Sequence, residues 1–223
     1  MGRWGGVLLE LRKHLKFTFS GALVGVALMI LVQHVFPGAL NRERAAHLFE
    51  FAHPLHVFLS AIVTATLYHN YTCYRGCRIW GAAAVILVGY FGSIGIATLS
   101  DCIVPYWGEL LLGFKDAHAH LGIVEMPLVI NLAALAGIAV AYFSRSTHFP
   151  HAGHVLLSTA ASLFHIIRAH PQAMTPIQNV GVVFFLLLAV WIPCCLSDIV
   201  FPMLFVRNGP ARGGKGPGAP QER

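Results

Sequence analysis

His53-Pro-Leu-His56-Val-Phe-Leu-Ser60 returns as His151-Ala-Gly-His154-Val-Leu-Leu-Ser158, 98 positions further on and without a gap. Two more pairs follow in the same order. Thr66-Leu-Tyr-His69 parallels Ser162-Leu-Phe-His165, and Ser100-Asp101-Cys-Ile-Val-Pro105 parallels Ser197-Asp198-Ile-Val-Phe-Pro202. The displacements are 96 and 97, so one spacing serves all three pairs. The matched residues are His, Ser, Asp and Pro, which low complexity in an apolar chain would not reproduce. The chain therefore reads as two related halves.

The medium of those halves follows from composition. The 223 residues are 57% hydrophobic and 11% charged, with a mean hydropathy of +0.68. Soluble domains carry about a quarter charged residues, so lipid rather than water is expected around most of this surface. Six apolar runs, at 17–36, 54–69, 79–106, 121–143, 153–167 and 177–206, approach or exceed the length that crosses a bilayer as a helix. The first reads as a retained helix, because no small-residue cleavage site and polar mature chain follow it. The expected fold is all-α and integral to the membrane, with six transmembrane helices in two three-helix repeats. Residues 1–16 form an N-terminal segment, 17–106 the first repeat, 107–120 a connection, 121–206 the second repeat and 207–223 a polar Gly/Pro-rich tail.

Charge sets the expected orientation. With the N-terminus in the cytoplasm, Arg3, Arg12, Lys13, Lys16, Arg75, Arg78, Arg145, Arg207, Arg212, Lys215 and Arg223 lie inside. Only Arg42, Arg44, Lys115 and Arg168 fall outside, so eleven of the fifteen Lys and Arg share one side. Both termini are placed in the cytoplasm, and a prokaryotic inner (plasma) membrane is the expected location. Three crossings per half make the second half enter from the opposite side, an inverted-topology repeat of the kind common in small transporters. The net charge of +6 is spread over loops rather than gathered on a face, which argues against nucleic acid as a partner. The lipid bilayer and a metal ion are the expected partners, and a homo-oligomer is left open. Five cysteines show no disulfide-framework spacing.

On this topology the polar residues fall into two clusters. The outer one collects His53, His56, Asp101, His118, His120 and Glu125, and the inner one His151, His154 and Asp198. His165 and His69 are secondary members of the outer and inner clusters. Residues three apart share a helix face, so each His-x-x-His aims two imidazoles together, with Ser60 or Ser158 one turn along. Asp101 and Asp198 lie in apolar runs, each four residues before a proline that is expected to break the helix. A carboxylate at that depth marks a functional site by default. His14, His34, His47, His148 and His170 read as solvated helix ends. His69, Cys73 and Cys77 are spaced four apart, a weaker set of soft ligands.

Imidazole with carboxylate suits a divalent transition metal such as Zn, Mn, Fe, Co or Ni, and disfavours the all-oxygen cages of calcium and magnesium. The expectation is a transporter of such an ion through the two clusters, and no enzyme activity is required. Two alternatives stand beside it. In a di-haem b-type cytochrome, His56 with His165 and His69 with His151 would ligate two haem b groups. In a membrane-embedded metal hydrolase, the richer outer cluster would hold zinc.

Overall fold

The computed structural model describes residues 3–36, 38–72, 79–143 and 148–195, with side chains at 15, 18–36, 38–69, 81–143 and 153–193. Every described element is helical: α1 (Arg3–Val35), α2 (Arg42–Thr72), α3 (Ile79–Thr98), a π-helical segment (Leu99–Ile103), α4 (Val104–Leu111), α5 (Gly122–Glu125), α6 (Pro127–Phe143), α7 (His148–Ala169) and α8 (Pro176–Cys195). Among the described residues, four stretches are long and apolar enough to cross a membrane: 18–35, 42–69, 81–111 and 176–193. α6 is apolar but only 17 residues long. α7 has the length, but its His, Ser, Thr and Arg residues keep it out of that set. The exposed Leu, Val and Phe side chains of α1, α6 and α8 are the kind of surface that lipid contact demands.

The helices run past the apolar runs that announce them, and α2 shows why. Pro54 resembles a first-turn proline, where a missing N–H does no harm. The helix nevertheless starts at Arg42, because Asn41 caps it: Asn41 Oδ1 accepts the Arg44 N–H at 2.8 Å. Pro54 is thereby carried into the helix interior. With 31 residues, α2 places His53 and His56 near its middle rather than at its end.

α2 is the central helix, packed against α3, α6 and α7. Gly137 of α6 lies against the Phe58 carbonyl of α2 so closely that a Cβ would collide with that oxygen. Backbones approach this way where apolar faces gain nothing from water and must gain from contact. α7 runs antiparallel to α2, since Phe49 meets His165 while His56 meets His154.

The helix through Asp101 widens where a break was expected. Pro105 has no N–H for the Asp101 carbonyl, and the ladder adapts by reaching one residue further, with Val104 N–H bonding Leu99 O. The helix then continues to Leu111. It closes with Phe114 N–H on Glu109 O and Gly113 N–H on Leu110 O. That reverse turn needs the positive φ of Gly113 (73°). At Met126 a non-helical backbone splits the run 121–143 into the single turn of α5 and the longer α6.

Candidate functional site

Asp101 sits in the π segment with no exposed surface, and four donors converge on it. His53 Nδ1–H and His56 Nδ1–H donate to Oδ2 at 2.8 and 2.7 Å. Ser100 and Ser158 hydroxyls donate to Oδ1 at 2.6 and 3.0 Å. An ionised carboxylate accepts about four hydrogen bonds, so this one is saturated. The bonds also decide the imidazole tautomers. With the proton on Nδ1, His53 and His56 each present a bare Nε2. This is how an orienting carboxylate prepares histidines to bind a metal.

The two Nε2 atoms have different surroundings. His56 Nε2 accepts from His154 Nδ1–H at 3.3 Å, a contact between the matching residues of the two sequence halves. His53 Nε2 is buried without a hydrogen-bond partner. It faces Gly122, where a Cβ would strike the ring at Cδ2 and Nε2. Phe49 stacks on His53 at 5.2 Å and meets His165 edge-on at 5.5 Å, forming an apolar partition between two polar nests.

The second nest lies beyond that partition, where α4, the 112–126 connection and the C-terminal end of α7 meet. His165, fully buried, donates through Nδ1 to Glu109 Oε1 at 2.7 Å, and its Nε2 accepts the His120 backbone N–H at 3.3 Å. His120 Nδ1–H donates to Glu125 Oε1 at 2.7 Å, and Arg168 lies 3.6 Å from Glu125 Oε2. The His118 and His120 rings are 4.7 Å apart. One ligand atom from each of His118, His120 and Glu125 falls within 4.8 Å of the others, a donor set suited to a borderline cation. Partial burial, which disfavours an imidazolium, pushes the His120 pKa below its ordinary value. Glu125 opposes that shift and Arg168 adds to it, so this ring takes a proton less readily than a free imidazole.

The two clusters expected from sequence are thus regrouped. The six outer residues separate into the buried set around Asp101 and the connection set of His118, His120 and Glu125. His154 and Ser158, assigned to the inner half, join Asp101 and His56 instead of forming a distant group. His165 joins the connection nest. His69 lies apart, edge-on to Tyr142 at 5.8 Å. Ser60 is buried with no hydrogen-bond partner. The His151 side chain, Asp198, Cys73 and Cys77 fall outside the described residues. Glu109 was missed, although an acid in an apolar helix is the signal that exposed Asp101. Ending the third run at residue 106 left Glu109 in a connection, where an acid needs no explanation. No protein-family model, curated protein or solved structure matches this chain.

Proposed function

We propose that the protein is a membrane carrier of a divalent transition-metal ion, with His118, His120 and Glu125 as the capture site on the extracytoplasmic side. The observation that carries this reading is the convergence of those three ligand atoms within 4.8 Å, beside buried imidazoles that Asp101 holds in the metal-binding tautomer. Neutral imidazoles with one carboxylate suit Zn, Mn, Fe, Co or Ni. The sequence repeat supports two three-helix halves inserted in opposite senses, and the Lys and Arg distribution supports cytoplasmic termini.

The di-haem alternative has less support. His56 and His165 each have both ring nitrogens in hydrogen bonds, and Phe49 fills the space beside His165. An axial pair made through Nε2 would keep the carboxylate bonds but displace the His154 ring from His56 and the His120 N–H from His165, and a haem, unlike a single ion, would also have to displace Phe49. The hydrolase reading draws on the same connection cluster, but no observation among the described residues favours it over capture.

The test is uptake of Co2+ or Zn2+ into liposomes containing the purified chain and an internal metal-sensitive dye. Saturable uptake that falls in His120→Ala and Glu125→Gln is expected. Uptake no faster than in protein-free liposomes would sink the reading, and a haem Soret band in the purified protein would replace it with electron transfer.

A further inference from the structure

The buried centre contains a feature that capture at the connection does not use. His56 and His154 are equivalent residues of the two sequence halves, and they touch each other. Under two-fold symmetry, a residue touches its own counterpart only where the axis passes. The His56–His154 contact therefore marks the position that the two halves share, at the crossing of antiparallel α2 and α7.

Its dimensions fit a metal ion. The two nitrogens are 3.3 Å apart, at the long limit for a hydrogen bond. Two imidazole nitrogens held about 2.0–2.1 Å from a tetrahedral ion lie about 3.3–3.4 Å apart, so the spacing suits a shared ion once each ring tilts to aim its lone pair at it. Asp101 already fixes the opposite nitrogen of His56, which orients the ring and raises its basicity. A further donor stands on the same face of α2. Ser60 is one turn from His56, fully buried, and its hydroxyl has no hydrogen-bond partner.

From this geometry we infer a second, buried transition-metal site between His56 Nε2 and His154 Nδ1, shared by both halves and oriented by Asp101. It deepens the transport reading and rests on it, as the transit position between the two faces. Ligation displaces the proton on His154 Nδ1, so loading releases a proton and weakens in acid.

The experiment uses the purified full chain in nanodiscs titrated with cobalt(II) chloride, with bound Co2+ counted and its visible spectrum recorded. Two ions per chain are expected, falling to one in His56→Gln and in His154→Gln. The double variant His120→Ala/Glu125→Gln also binds one, and combining it with His154→Gln removes both. Because a buried substitution can unfold the chain, His154→Cys supplies an independent signature. It retains the ion and adds a thiolate-to-cobalt charge-transfer band that a misfolded chain would not give in one-to-one proportion. A parent that binds one ion, lost only with His120 and Glu125, overturns the buried site and leaves the capture site standing. Loss in the His56 and His154 variants alone, with none in the His120/Glu125 variant, removes the capture site and keeps the buried one. An unchanged count in His56→Gln and His154→Gln, with no new band in His154→Cys, also overturns the inference.

Discussion

The nest around Asp101 and the nest around Glu125 both join imidazole to carboxylate and differ in nearly every other respect. Asp101, His53, His56 and His154 come from three long helices and have almost no exposed surface. His118, His120 and Glu125 come from one connection and are partly or largely exposed. The buried carboxylate serves as the hydrogen-bond hub of a core, and the surface carboxylate lies open enough to meet an ion. Depth rather than composition separates the two roles, because an unpaired polar group is far more costly in a dry interior than beside water.

That contrast breaks most readily at Asp101. Asp101→Asn puts an amide donor among donors and strands at least one imidazole N–H. Removing one partner of a buried charged network costs about 3–5 kcal/mol. Thermal unfolding in detergent should therefore fall sharply, and metal uptake should be abolished; an unshifted midpoint would mean that the hub is not structural. A smaller loss is expected from Gly122→Ala, whose methyl group presses on His53. Overpacking of this kind costs about 1–3 kcal/mol. Here Co2+ binding at the connection should survive while uptake slows, and equal loss of both would show that the two nests are one site.

At the connection the order of effects reverses. Glu125→Gln should weaken Co2+ binding at the capture site by at least about tenfold, since losing even an orienting partner costs that much. The unfolding midpoint should barely move, because Glu125 is partly exposed. The smallest effect concerns acid. His120 has a lowered pKa, so protonation of this ligand should need a pH below about 6.5, the ordinary histidine value, and its NMR titration should show that midpoint displaced to lower pH. Arg168→Gln removes one cause of that lowering, so the His120 titration followed by NMR should move upward and metal release should begin at higher pH. An unmoved titration would mean that Arg168 does not act on this ring.

Much of this is legible in the sequence, and the gaps have physical causes. High hydropathy and the length of the apolar runs pointed to membrane helices, and the i, i+3 spacing put His53 and His56 on one face, where Asp101 meets them. His120 and Glu125, five apart across a turn, also meet. The position of His154 against His56 was hidden because hydropathy places a helix end where a histidine interrupts an apolar run. The Asn41 cap starts α2 twelve residues before Pro54, and that moves both histidines to mid-helix. The proline after Asp101 indicated a disturbed ladder correctly, but not how it would be repaired. A chain can absorb a missing N–H by widening one turn as readily as by stopping.

The four bonds to Asp101 have a consequence for assembly. Helices in lipid slide past one another with little penalty, because one apolar face matches another almost as well when displaced. Asp101 accepts two bonds from α2, one from α7 and one from its own neighbour Ser100. A slip of one residue in α2 or α7 would leave an acceptor empty and a donor stranded. The carboxylate thus acts as a key for register: three helices can be stacked in many ways, and only one alignment turns the lock.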